Sequence, residues 1–162
     1  MLDTYVLTIS RNATFSFRNY YRIIVAGGGT GGMAVFFGEQ LNHTNGEVIY
    51  IDFSSSSMKI AQQRTRYRDL RNIIWINSWI EGIRFFGIGA FETLECSGVL
   101  HHLKSPQNGL KVVNEAQTRQ GEAEFMVYAT FGRTGIYQIQ ELLSIINAKG
   151  EIVKRELKQP NI

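Results

Sequence analysis

Five of the six positions from 27 to 32 are glycine: Gly27, Gly28, Gly29, Gly31 and Gly32, interrupted only by Thr30. They follow four apolar residues, Ile23-Ile-Val-Ala26, and run into Met33-Ala-Val-Phe-Phe37. An apolar run, a glycine turn and a second apolar run read as a buried strand, a hinge and a helix. Such a turn lets the backbone lie against a ligand with no Cβ atoms in the way, and it aims the helix N-terminus at that ligand. The chemistry on offer is nucleotide binding. Gly27, Gly29 and Gly32 satisfy G-x-G-x-x-G, the dinucleotide fingerprint, whereas Gly27, Gly29 and Gly31 satisfy G-x-G-x-G, the pattern of S-adenosylmethionine sites. The segment holds glycines enough for both, so spacing alone does not choose between them.

Two further groups could carry chemistry. Asp52 closes the apolar run Val48-Ile-Tyr-Ile51, about 20 residues after the glycines, where an acid accepts hydrogen bonds from ribose hydroxyls. The alternative for Asp52 is a helix N-cap beside the serine run 54–57. The second group is Glu95-Cys-Ser-Gly-Val-Leu-His-His-Leu103. Its adjacent histidines could line a pocket, and His101 is the one candidate for a general base. No acidic or cysteine partner stands at metal-ligand spacing around them, so no metal is expected.

These residues need positioning elements. The pattern predicts strands at 22–26, 48–52, 72–77, 91–96 and 124–129. Between and after them it predicts helices at about 33–41, 57–68, 106–119 and 136–146, with Gly121 ending the third, and a loop or short helix over 78–90. Strand and helix alternate, which argues for an α/β fold: a Rossmann-like, mostly parallel sheet with helices on both faces. Ligands then sit at the carboxyl ends of the strands, where the strand order reverses. Residues 1–21 read as a lead-in that packs on the sheet, 22–150 as the cofactor-binding domain, and 151–162 as a polar tail or short edge strand.

Composition narrows the class. A chain of 162 residues with 44% hydrophobic and 19% charged residues makes one domain with a substantial core. A net charge of +3 is spread thinly, apart from Arg64, Arg66, Arg68 and Arg71, which read as a solvated helix face rather than a nucleic-acid surface. The single cysteine, Cys96, excludes an internal disulfide and reads as a buried thiol in a reducing compartment, hence a cytoplasmic location. No stretch approaches the length of a membrane span.

The order of glycine turn, acid after the second strand, and Val99-Leu-His-His-Leu103 after the fourth resembles the class I S-adenosylmethionine-dependent methyltransferases. Phe91-Glu-Thr-Leu-Glu-Cys-Ser-Gly-Val-Leu-His-His-Leu-Lys-Ser-Pro106 is similar to the fourth-strand motif of the branch acting on small molecules, and the resemblance covers roughly residues 22–146. It implies a methyltransferase domain using S-adenosylmethionine. Gly27, Gly29 and Gly31 would wall the cofactor, Asp52 would hold its ribose, Ser78 and Trp79 would border its adenine, and Cys96 and Ser97 would lie along it. His101 would stand nearer the acceptor, a small molecule or a protein; in the loop after the fifth strand Arg133 could neutralise an anionic acceptor, and Tyr128 and Tyr137 could wall it.

The chain departs from the family pattern in three places. An acid often stands two residues before the first glycine, and here that position is Val25. An aspartate often stands beside the adenine, and here the residues are Ser78-Trp79. The usual C-terminal hairpin is short or missing, since Glu151–Leu157 supplies one short strand at most. An open sheet edge of that kind is compatible with a homodimer or with a covering partner segment. Two rival readings follow: a catalytically degenerate methyltransferase fold acting as a binding module, and a flavin- or NAD-binding fragment.

Overall fold

The computed structural model describes residues 4–9, 20–87, 90–128 and 131–148. They fall in two compact units, Tyr5–Val127 and a second unit made of Met1–Thr4 with Tyr128–Ile162. The expected C-terminal edge strand at 151–157 lies outside the described residues.

The first unit is built on strands β1 (Thr4–Ile9), β2 (Arg22–Ala26), β3 (Glu47–Asp52), β4 (Ile73–Asn77), β5 (Phe91–Ser97) and β6 (Gln117–Tyr128). Helices α1 (Gly32–Leu41), α2 (Ser55–Tyr67) and α3 (Pro106–Ala116) connect them. The sheet order is β1-β6-β5-β2-β3-β4. Every pairing from β6 through β4 is parallel. From β2 the chain steps outward one way to β3 and β4, then returns to the other side of β2 for β5 and β6. The reversal therefore falls between β2 and β5, and in folds of this kind the ligand crevice lies above the carboxyl ends of such strands.

The core explains why the strand sequences are continuously apolar. Ile24, Ala26, Ile49, Ile51, Leu94 and Cys96 face one layer with Val112 and Val113 of α3. Ile23, Val25, Val48 and Tyr50 face the other, with Ala34 and Val35 of α1 and Met58 and Ala61 of α2. A strand covered on both faces gains from an apolar residue at every position, which is what 48–51 shows. Strand β4 at the edge relaxes this rule, leaving Ile74 exposed. At the amino ends of the strands, Arg22 pairs with Glu47 at 2.6 Å and its backbone N–H donates to Glu92 at 2.8 Å, tying β2 to both neighbours away from the crevice.

The α/β fold with helices on both sheet faces is as expected, and the lead-in contributes β1 as a sixth strand of the sheet; the elements differ further around Gln117. Helix α3 stops at Ala116, and Gln117–Arg119, expected to be helical, belong to β6. Gln117 adopts φ −78° and ψ 153°, and its side-chain amide donates to the carbonyl of Glu122 at 2.6 Å. Gly121 is thus inside a strand rather than a helix stop, packed under the carbonyl of Glu92 where the β5–β6 register shifts. The segment after β4 forms a 3-10 helix over Ile80–Phe86.

In the other unit, a short 3-10 turn at Phe131–Arg133 leads into α4 (Thr134–Ala148). Ile139, Leu142, Leu143 and Ile146 recur there at helical spacing and are all exposed.

Candidate functional site

The glycine turn is held by packing on three sides and left open on the fourth. A Cβ at Gly27 would strike the Val99 side chain, and one at Gly28 would strike the Tyr50 ring. At Gly31, which starts α1 with φ +86°, it would come 2.5 Å from the Ala61 Cβ of α2. These three glycines are needed for close approach of protein to protein. Gly29 differs: with φ +52°, it has nothing within 4 Å of where its Cβ would stand. Gly32 is likewise open, but of these two only Gly29 has a positive φ.

Asp52 locks this turn. Only 7% of it is exposed, yet both carboxylate oxygens are used. Oδ2 accepts from the Gly29 N–H at 2.8 Å, and Oδ1 accepts from the Ser54 N–H at 2.7 Å. Its carbonyl accepts from the Asn77 amide at 2.8 Å and the Ser78 N–H at 3.1 Å, which fixes the start of the loop after β4. A carboxylate offers about four acceptor positions, and these two backbone donors use two of them. The helix N-cap at α2 is Ser54, whose hydroxyl accepts from the Ser57 N–H at 3.2 Å. Asp52 therefore stands two residues ahead of the cap, and capping is not its role here.

Tyr50 supports the same turn from beneath, donating its hydroxyl to the Gly29 carbonyl at 2.6 Å. Burial first, then the nearby Asp52 charge, pushes its phenol pKa up, so it stays a donor. Arg64 of α2 donates to the Thr30 carbonyl at 2.9 Å. One member of the arginine group thus pins the turn, while Arg68 pairs with Glu39 at 2.9 Å on the surface.

Beside Asp52 the structure shows a feature that sequence reasoning did not single out. Phe53, one residue past the acid, stacks on Trp79 with ring centroids 4.4 Å apart and planes 1° from parallel. Phe53 is 62% exposed and Trp79 61%. Two large aromatics this exposed, at the carboxyl ends of adjacent strands, offer flat apolar surface to a planar ligand. The available signal was a large apolar residue directly after the acid and before four serines, a position where a solvated loop gains nothing from phenylalanine.

The other expected site residues divide. Ser97 is half-buried at the end of β5, with Gly98 beyond it at φ +74° donating to the Met126 carbonyl at 2.9 Å. Cys96 has its side chain fully buried in the core, as expected of the thiol, and burial first, then neighbouring Glu95, pushes it up to about 12. Strand alternation turns it away from Ser97's face, so it packs the core. His101 is half-buried in a 3-10 turn at Leu100–His102, with its ring 4.1 Å from that of His102. In the other unit, Arg133 lies over the Tyr128 ring at 3.6 Å as a cation–π pair. Among the described residues, no group of three or more His, Cys, Asp or Glu could hold a metal ion, and no helix is long and apolar enough to cross a membrane.

A parallel sheet reversing at β2/β5, with a glycine turn and an acid on adjoining strands, defines an α/β nucleotide-cofactor protein. The chain belongs to the methyltransferase-domain family, whose profile matches residues 24–123. An uncharacterised protein of Synechococcus is 30% identical over 134 residues, which is 79% of this chain and 30% of that protein. The chain therefore spans under a third of that relative's length. Among solved structures, an rRNA methylase from Streptococcus thermophilus matches with a TM-score of 0.57 at 13% identity, covering 75% of this chain and 69% of that one. PKMT2 from Rickettsia typhi, solved in complex with AdoHcy, matches with a TM-score of 0.58 at 18% identity over 65% of this chain and 20% of that one.

Proposed function

We propose that this domain binds S-adenosylmethionine above β2, β3 and β5 and supports transfer of its methyl group to an acceptor. The observation that carries the reading is Asp52, which clamps the open glycine turn and keeps acceptor capacity toward it. Asp52 would take the ribose hydroxyls, and Phe53 with Trp79 would take the adenine. Gly29 would let the backbone approach, with Ser78 bordering the base and Ser97 the methionyl part.

A sulfonium supplies an already activated methyl group, so the protein needs no nucleophile or metal of its own. What these residues contribute is orientation and exclusion of water around an in-line transfer. His101, in the turn after β5, would stand on the acceptor side and orient the acceptor. The acceptor itself is a small molecule or a protein. A cytoplasmic setting accords with the single cysteine being a free, buried thiol.

The aromatic pair gives the test. Aromatic pairs contribute roughly 0.5–1.5 kcal/mol, and base–aromatic stacking about 1–3 kcal/mol, so an arriving adenine wins the contest for the ring faces. Titration with S-adenosylhomocysteine should give a saturable change in tryptophan emission that Trp79→Phe removes. Phe53→Ala should weaken binding roughly tenfold. A titration in which emission stays flat while binding is seen by calorimetry would move the adenine elsewhere. No binding by either method would leave a methyltransferase fold serving as a binding module, the reading that Val25 favours.

A further inference from the structure

We propose that Glu95 supplies, from the neighbouring strand, the negative charge that position 25 lacks, and that it favours the cationic methionyl end of the bound sulfonium. This rests on the cofactor reading above and names a residue that the glycine-turn and acid motifs do not contain.

The register carries the argument. Val25 pairs with Glu95 across β2–β5 and with Tyr50 across β2–β3, and Glu95 pairs in turn with Glu124 across β5–β6. Residues paired in register project from the same sheet face. Tyr50, Val25, Glu95 and Glu124 therefore form one row across four strands, on the face that α1 and α2 cover beneath Tyr50 and Val25. Two residues further along β2 and β5 on this face stand Gly27 and Ser97, at the crevice. An acid at position 25 and an acid at position 95 occupy adjoining places in this row, about 5 Å apart.

The chemistry of Glu95 is otherwise hard to explain. It is 3% exposed, in a strand whose neighbours Leu94 and Cys96 are fully buried. Both the hydroxyl and the backbone N–H of Ser97 bond to it, which draws the carboxyl toward the crevice end of the strand. Among the described residues its buried Oε1 has no hydrogen-bond partner. A carboxylate buried this way is costly unless a positive charge compensates it. Burial first, then Glu124, raises its pKa. Val25 carries no charge, and among the partners in its row only Glu124 and the Tyr50 phenol titrate. All three ionisable groups are neutral or anionic, so the row itself supplies no cation. A ligand bearing an ammonium and a sulfonium does. The attraction acts through a low-dielectric interior, so it needs no direct contact.

The test is calorimetry on Glu95→Gln, an isostere that keeps the hydrogen bonds of a neutral side chain. Three probes separate charge from shape: S-adenosylmethionine, S-adenosylhomocysteine, and uncharged 5′-methylthioadenosine. The variant is expected to bind S-adenosylmethionine roughly tenfold more weakly and S-adenosylhomocysteine, which lacks the sulfonium charge, by a smaller factor, while holding methylthioadenosine as wild type does. Its unliganded melting temperature should be unchanged or higher, because a buried carboxyl has been made permanently neutral. Equal losses for all three probes would make Glu95 structural only and overturn the proposal, as would no loss for any. If wild type binds none of the three, the cofactor reading fails before this one is reached.

Discussion

Asp52→Ala is expected to weaken S-adenosylhomocysteine binding by about a hundredfold or more and to lower stability by roughly 3 kcal/mol. Both effects come from the same two oxygens. In the free protein they accept from the Gly29 and Ser54 N–H groups at 2.8 and 2.7 Å. Hydrogen bonds to a charged group contribute about 1.5–3 kcal/mol each, and alanine leaves both donors without this acceptor. In the complex the remaining lone pairs would meet two ribose hydroxyls, and losing two charge-assisted bonds at about 1.5 kcal/mol each gives the hundredfold. Asp52→Asn separates the two roles. Its amide oxygen can still accept one backbone N–H, but its NH2 group cannot accept the other, so stability should fall by less than with alanine while binding stays poor. Denaturant melts and calorimetry read both. Wild-type affinity in Asp52→Ala would refute the assignment of the ribose to Asp52.

A pair of glycine substitutions should divide the turn into a folding part and a binding part. Gly31→Ala places a methyl 2.5 Å from the Ala61 Cβ and 2.9 Å from its Cα, at φ +86°. Left-handed backbone costs an L residue roughly 1–2 kcal/mol. Forcing α1 away from α2 adds about 1–3 kcal/mol, because Ala61 is fully buried and cannot yield. The variant should lose roughly 2–5 kcal/mol, seen as a lower denaturant midpoint with an unchanged slope. Gly29→Ala carries the backbone cost alone, about 1 kcal/mol, since no atom lies within 4 Å of its new methyl. Its deficit should appear in ligand affinity, because that methyl projects into the open side of the turn. Equal destabilisation by the two, or wild-type affinity in Gly29→Ala, would mean that the turn does not face the ligand.

Much of this site is legible in residue types whose reasons are local. A run of glycines between two apolar segments can be read because only glycine accepts both the φ values and the close approaches found there. Asp52 is legible because an acid ending a buried strand is costly without a purpose. Other parts depend on contacts between distant segments. The stacking of Phe53 on Trp79 joins residues after different strands, and the Val25–Glu95 pairing depends on register, which a single strand's sequence does not fix. Cys96 and Ser97 look equivalent in sequence. Alternation sends one into the core and the other toward the crevice, so the exact phase of a short strand decides which is available. The boundary between α3 and β6 misleads for a related reason. Gln117 is an acceptable helix former, and it is pairing with Phe91 of β5, a tertiary contact, that makes it strand.

The central claim is that the crevice above β2, β3 and β5 holds the sulfonium cofactor. Isothermal titration of the wild-type chain with S-adenosylhomocysteine, with NADH and FAD as parallel titrants, tests it most directly. The account predicts one saturable site for S-adenosylhomocysteine and none for the other two. Binding of NADH or FAD in its place, or no heat from any of the three at millimolar ligand, would contradict it.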